Sequence, residues 1–131
     1  MSKFAAACLT AFCALIIAPT TGSAQTITVA SGHQVRVLYA HSLNPDCSSL
    51  GEIVVRITQA PQHGRVAIKN SRSFPNFPSS NSRSTCNTRR SPGVEAFYQP
   101  ASGYTGFDSV AFEVIYPTGS DRQFSANIQV K

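Results

Sequence analysis

The chain has 131 residues, of which 42% are hydrophobic and 13% are charged. This size and composition exclude a disordered polyelectrolyte and an assembly of several large domains. The formal net charge of +5 is compatible with anionic partners, although excess charge governs solubility and encounter rates rather than naming an activity.

The first 24 residues predict a secretory signal peptide. Lys3 is followed by an apolar run over residues 4–18, and small residues follow up to Ala24. The run is shorter than the roughly 20 residues that a membrane-spanning helix needs. We therefore expect cleavage between Ala24 and Gln25, a periplasmic or secreted protein, and no transmembrane segment in the mature chain. The alternative is an uncleaved membrane anchor.

The mature chain retains two cysteines, Cys47 and Cys86. In an oxidising compartment, such a pair predicts a disulfide. Closing the loop between Cys47 and Cys86 would stabilise the fold by roughly 4 kcal/mol on the chain-entropy estimate. The competing interpretation is a metal ligand or a catalytic thiol, which would need histidine or cysteine partners at ligand spacing. No such residue flanks either cysteine.

Seven segments of the mature chain alternate apolar and polar residues at the period of a half-buried strand. β-Branched and aromatic residues fill these segments, glycine and proline separate them, and no segment has the spacing of a long amphipathic helix. We therefore predict an all-β fold in which two sheets enclose one core. The predicted strands are residues 26–30, 35–39, 53–58, 65–69, 94–98, 110–114 and 124–130.

Residues 70–91 do not alternate, and they predict one long loop. The segment is rich in serine and contains four arginines and two phenylalanines, with Cys86 near its end. Loops of this length are usually functional or disordered. Two interpretations stay open, a binding loop and a tolerated insertion, because serine-rich composition is also typical of solvated linkers. The candidate binding residues are Arg72, Phe74, Phe77, Arg83, Arg89 and Arg90.

Residues 98–114 form a strand-turn-strand motif. Gly103 after Pro100 predicts a sharp turn, and Gly106 predicts a positive φ or a close backbone approach. Asp108 is expected to accept hydrogen bonds from turn amides before the next strand begins. We expect the Tyr104 ring to pack on the sandwich while its hydroxyl group reaches the backbone. The residues given structural roles are Tyr98, Pro100, Gly103, Tyr104, Gly106 and Asp108.

Together with Pro61-Gln62-His63-Gly64-Arg65-Val66, this motif resembles the strands and turns of bacterial Ig-like and cadherin-like domains, which occur in tandem in surface adhesins. The resemblance covers residues 61–131 and implies an Ig-like Greek-key β-sandwich, but it implies no ligand. The predicted fold is thus an Ig-like Greek-key β-sandwich of about seven strands with one long loop and one disulfide. Relatives often bind calcium through clustered acidic residues. The acidic residues of this chain are scattered, so no calcium site is expected.

No catalytic motif stands out in the sequence. The three histidines, His33, His41 and His63, each lie in or beside a predicted turn, where an exposed histidine is the ordinary explanation. A copper site of the cupredoxin type would need a methionine, and Met1 is removed with the signal peptide. We therefore expect no catalytic residue, no metal and no cofactor.

The arginines decide which partner the sequence favours. A nucleic acid is disfavoured, because no RNA-binding strand motif is present and an exported protein rarely meets one. Arginine suits phosphate and carboxylate groups, so an anionic envelope component is the expected ligand of the basic 70–91 loop, with another protein as the alternative partner. The sequence thus favours an exported, non-catalytic binding or envelope-structural module. The alternative is a small secreted enzyme or inhibitor whose site lies in the same loop.

Protein purified from the cell envelope should begin at Gln25 and contain no free thiol, because an exported chain is cleaved and its cysteines oxidise. N-terminal sequencing and mass spectrometry with and without reductant measure both properties. An intact mass that includes residues 1–24, or two thiols that react with alkylating agent before reduction, would contradict the assignment to an oxidising compartment.

Overall fold

The computed structural model describes residues 25–131 of the chain. These residues form seven strands, in which apolar and polar side chains alternate. The predicted signal peptide lies outside the described residues. Each predicted strand overlaps one observed strand, so the all-β prediction is confirmed. Within residues 25–131, no helix is long and apolar enough to cross a bilayer. The strands are β1 (Gln25–Val29), β2 (Val35–Ala40), β3 (Val54–Gln59), β4 (Gly64–Ser73), β5 (Ser91–Pro100), β6 (Gly106–Ile115) and β7 (Asp121–Val130).

The strands form two sheets that stack as a sandwich. The four-stranded sheet has the order β1-β7-β6-β3, and the three-stranded sheet has the order β2-β5-β4. β1 lies parallel to β7, and the other neighbouring strands are antiparallel. Successive side chains of a strand point to opposite faces, so each strand contributes alternate residues to the core. The central core residues are Leu38, Ala40, Val94, Ala96, Tyr98, Val110, Phe112, Val114, Ala126, Ile128 and Val130.

β4 and β5 are longer than the sequence pattern predicts. They pair residue by residue from Gly64 opposite Pro100 to Ser73 opposite Ser91. The polar residues 70–73 therefore belong to β4, because hydrogen bonds between backbones hold a strand without needing apolar alternation. The predicted 70–91 loop is corrected to residues 74–90, and a short 3-10 helix, Ser84–Thr88, lies within it.

The Asp108 carboxylate joins the two sheets to the β3–β4 turn. Asp108 lies inside β6 rather than before it, and its side chain is buried. Oδ1 accepts hydrogen bonds from the backbone amides of Gln62 and Ser109, each at 2.9 Å. Oδ2 accepts one from the His63 amide at 2.9 Å and one from the Tyr98 hydroxyl at 2.8 Å. Because Tyr98 belongs to β5, this last bond crosses from one sheet to the other.

These hydrogen bonds determine the titration of Asp108. Burial alone would raise the pKa of the carboxyl group, but the bonds from Gln62, Tyr98, His63 and Ser109 outweigh burial and hold the pKa below its ordinary value. Burial and the neighbouring carboxylate raise the pKa of the Tyr98 phenol. Tyr98 therefore stays protonated and donates to an ionised Asp108 at neutral pH.

The turn between β5 and β6 follows Pro100, the last residue of β5. The Tyr104 amide donates to the Ala101 carbonyl at 3.1 Å, and Gly103 has a φ of 74°. The Tyr104 hydroxyl donates to the Phe107 carbonyl at 2.6 Å, and its ring stacks on His63 with 4.2 Å between centroids. A Cβ at Gly106 would lie 2.8 Å from that hydroxyl oxygen. The close approach of the tyrosine thus requires glycine at position 106.

Asp108→Asn should lower the free energy of unfolding at pH 7 by about 1–3 kcal/mol, because a buried acceptor of four hydrogen bonds loses its charge. A carboxyl group whose pKa is lowered by folding contributes stability above its unfolded pKa of about 3.9 and loses that contribution as the pH falls through the folded pKa. The difference between wild type and variant should therefore shrink below about pH 4. Chemical denaturation between pH 2 and 7 measures it. A difference that stays constant over this range would contradict the role of the ionised carboxylate.

Candidate functional site

A disulfide and a small second core hold the 74–90 loop against the connection between β2 and β3. Cys47 and Cys86 form the predicted disulfide, with 5.6 Å between their Cα atoms. Both sulfurs lie in a cluster with the buried Leu43, and Phe77 packs against the cluster. The loop is therefore a packed element, and its exposed groups have defined positions.

Phe77 anchors this loop and is not an exposed contact residue. Its amide donates to Asn87 Oδ1 at 2.8 Å, and Asn87 Nδ2 donates back to the Phe77 carbonyl at 2.9 Å. The ring of His41 meets the Phe77 ring edge-on, with 4.6 Å between centroids. His41 is half-buried rather than exposed as predicted, because it continues the line of β2 beneath the loop, and burial lowers its pKa. In the part of the chain that the structure describes, its Nδ1 atom has no hydrogen-bond partner.

Three of the four predicted arginines line one pocket, which we call the arginine pocket. Arg72 comes from the end of β4, and Arg89 and Arg90 come from the segment just before β5. Arg72 Nη2 donates to the Arg90 carbonyl at 2.9 Å, and the Arg90 guanidinium lies 5.7 Å from the ring centroid of the exposed Phe74. The pocket has a volume of about 510 Å³ and is further lined by Asp46, Cys47, Ser48, Ser49 and Pro92.

Arg83 does not join the other three arginines. Its side chain is half-buried, and Nε donates to the Leu43 carbonyl next to the second core. The structure thus places Arg83, a candidate binding residue in the sequence, apart from the three arginines that line the pocket. The 3-10 helix begins at the next residue, Ser84, so Arg83 lies at the N-terminal end of this helix.

The arginine pocket carries a net positive charge. Among the described residues, salt bridges join Arg36 to Glu95 and Arg56 to Glu113, and none involves a pocket arginine. Asp46 contributes one carboxylate against three guanidinium groups. The hydrogen bonds from the Ser48 hydroxyl and amide, aided by the charge of Arg89, lower the pKa of Asp46. A site of this kind favours phosphate, sulfate or carboxylate, which match the planar fork of arginine.

Sequence reasoning missed the residues that the β2–β3 connection contributes to the pocket. Asp46 and Ser48 flank Cys47, and Arg89 and Arg90 follow Cys86 closely. The predicted disulfide was the available signal, because a bond between two cysteines also brings their sequence neighbours together. Only the structure shows that Arg72 reaches the same place, since its position depends on the full length of β4.

A wider groove of about 850 Å³ lies at the opposite end of the three-stranded sheet, beside the β3–β4 turn. Its lining includes Gln62, His63, Arg65 and Gln99. The His63 ring is already stacked on Tyr104, and Arg65 is the one charged residue among the lining residues. Within residues 25–131, no group of three histidine, cysteine, aspartate or glutamate side chains could hold a metal ion. The arginine pocket is therefore the stronger candidate site.

Comparison of the chain with protein-family models and with curated proteins finds no match. No relative therefore supplies a ligand or an activity for the arginine pocket.

Arg83→Gln should lower the free energy of unfolding by about 1–2 kcal/mol, because the Leu43 carbonyl loses a half-buried donor. Arg89→Gln removes the same charge from an exposed position and should change stability by no more than about 0.5 kcal/mol. Urea denaturation of the two variants beside the wild type measures the difference. Equal effects would contradict the structural role of Arg83.

Proposed function

We propose that the protein is an exported, non-catalytic binding module that holds an anionic group in the arginine pocket. The observation that carries the proposal is the convergence of Arg72, Arg89 and Arg90 on one cavity without a salt bridge among the described residues. Like charges brought together on a disulfide-anchored frame repel one another, and a bound anion relieves that repulsion. The frame also reduces the ordering cost of binding, because the loop is already fixed.

We also propose that the sandwich is of the Ig-like Greek-key type. The support is the strand order, in which the neighbours β4 and β5 share one sheet and the neighbours β6 and β7 share the other. The chain crosses between the sheets from β1 to β2, from β2 to β3, from β3 to β4 and from β5 to β6. This arrangement agrees with the resemblance of residues 61–131 to bacterial Ig-like domains. It supports a scaffold that presents loops at its ends, where the arginine pocket lies.

The chemistry of the pocket favours binding over catalysis. No histidine is among the described residues that line it, and Asp46, the carboxyl group beside Ser48, has a lowered pKa. A weakly basic carboxylate is a poor general base for activating a serine hydroxyl. These features support a ligand that is held rather than transformed.

The proposed ligand is an anionic component of the cell envelope. Its phosphate, sulfate or carboxylate group would occupy the arginine pocket, and the exposed Phe74 ring beneath Arg90 offers an apolar contact next to it. Lipid headgroups and acidic glycans share this chemistry. They differ in whether an apolar chain or a sugar ring adjoins the anion, so the experiment below uses both.

The triple substitution Arg72→Gln, Arg89→Gln and Arg90→Gln should weaken binding at least about tenfold, because three charges leave one site. The measurements are co-sedimentation with phosphatidylglycerol vesicles and titration with a sulfated or uronate-containing oligosaccharide. Wild-type binding should also weaken as salt rises, since the Debye length is only about 8 Å at physiological ionic strength. Binding to the vesicles would identify a lipid headgroup as the source of the anion, and binding to the oligosaccharide would identify an acidic glycan.

The matched control is Arg56→Gln, Arg122→Gln and Lys131→Gln, which removes the same charge from residues outside the pocket. This variant should retain wild-type affinity, and the thermal midpoints of both variants should stay close to wild type. The proposal fails if the pocket variant binds as wild type does, if both variants lose binding equally, or if the wild-type protein binds neither ligand.

A further inference from the structure

Within residues 25–131, β4 is a long and regular strand that has no neighbouring strand on one side. The sheet edges are β1 and β3 in one sheet and β2 and β4 in the other. β1 has five residues, and the pairings of β2 and β3 each contain a register shift. β4 has ten residues and an unbroken register. Proteins usually keep edge strands short or irregular to prevent pairing with other chains, so β4 is the exception in this molecule.

Alternate backbone groups of β4 point away from the sheet. The Ala101 amide donates to the His63 carbonyl at 2.8 Å, which marks a hydrogen-bonded pair just before Gly64 opposite Pro100. Antiparallel pairs alternate between hydrogen-bonded and non-hydrogen-bonded, so the unbroken register assigns the odd-numbered residues of β4 to bonds with β5. The amides and carbonyls of the even-numbered residues, Val66, Ile68 and Asn70, therefore face the open edge.

Apolar side chains are exposed along the same side of the sandwich. Ile68 on β4 faces the space between the sheets, because it lies opposite the buried Ala96, and it is 38% exposed. Ile57 on β3, opposite the buried Phe112, is 40% exposed. The connection over residues 60–63 links these two edge strands directly. A strand added to β4 would cover apolar surface as well as pair with the open backbone.

The charge of β4 selects the kind of strand that can be added. β4 contains Arg65, Lys69 and Arg72 and no acidic residue. Arg65 and Lys69 form no salt bridge with any residue of the 25–131 segment, and Lys69 Nζ lies 4.4 Å from the centroid of the Phe97 ring. Two copies pairing through β4 would bring these cations together, and like charges opposite each other destabilise a strand pair. An acidic strand would meet them favourably.

We infer that the open edge of β4 is a docking site for an extended acidic segment of a partner protein, which adds to the three-stranded sheet as a fourth strand. Residues facing outward in this segment are acidic and lie beside Arg65 and Lys69. Residues facing inward are apolar and cover Ile68. The site lies along residues 64–70, apart from the arginine pocket, and does not depend on the proposed function.

The test uses a capped ten-residue peptide that alternates glutamate and valine, with a lysine–valine peptide as its control. Fluorescence anisotropy should show binding of the acidic peptide only. Hydrogen exchange followed by NMR should slow by about tenfold or more at the amides of Val66, Ile68 and Asn70, which gain partners. Failure of the acidic peptide to bind, or protection at β1, β2 or β3 instead, overturns the inference.

Two variants connect the binding to this edge. The pair Arg65→Glu and Lys69→Glu should lose the acidic peptide and gain the lysine–valine peptide. The gain shows that the variant is folded. The pair Arg122→Glu and Lys131→Glu, which makes the same charge change elsewhere, should bind as the wild type does. Unaltered preference in the first variant, or an equal reversal in the second, overturns the inference.

Two further variants test the position of the site. One is Ile68→Pro, and the other combines Arg89→Gln with Arg90→Gln. The proline removes an edge-facing amide without removing a bond to β5, so it should weaken peptide binding at least about tenfold. The structure around Arg122 and Lys131 should stay native. The arginine double variant should retain peptide binding, which separates this site from the arginine pocket. Loss of peptide binding in the arginine variant would identify the peptide as a pocket ligand and overturn the docking site.

Discussion

Three of the four hydrogen bonds to the Asp108 carboxylate connect β6 with segments that strand pairing alone leaves apart. They hold the β3–β4 turn through Gln62 and His63, and the end of β5 through Tyr98. These contacts fix where β4 begins opposite β5, and an antiparallel ladder carries the same register to its other end. The position of Arg72, and with it the arginine pocket, therefore depends on a carboxylate at the far end of the sandwich.

The amount that sequence predicts varies with the physical origin of each feature. The strands follow from apolar alternation, and the Cys47–Cys86 bond follows from the two cysteines that remain beyond the predicted signal peptide. The sequence predicts a loop for the polar residues 70–73, because backbone pairing with β5 does not show in the pattern of side chains. Arg83 resembles Arg89 and Arg90 in sequence. Only the fold distinguishes a guanidinium that caps the Leu43 carbonyl from two that line a pocket.

The disulfide both stabilises the 74–90 loop and determines which residues line the arginine pocket. It pins the 74–90 loop to the β2–β3 connection and so places the residues after Cys86 beside those that flank Cys47. The second core around Leu43 and Phe77 is small, and a packed cluster of this size contributes little without a covalent link.

The pocket and the open edge share β4 but use different parts of it. Side chains at its end form one surface, and backbone groups along its middle form the other.

The parallel pairing of β1 with β7 joins opposite ends of the described sequence, with Gln25 beside Ala126 and Val29 beside Val130. Closing a loop that spans almost the whole chain costs more entropy than forming the adjacent β6–β7 pair, whose strands are joined by a short turn. Only five residues of β1 contribute to the pair, so little is gained until β7 is already in place. We therefore expect β1 to dock last during folding and to detach first, as a separate unit whose opening leaves the other six strands assembled.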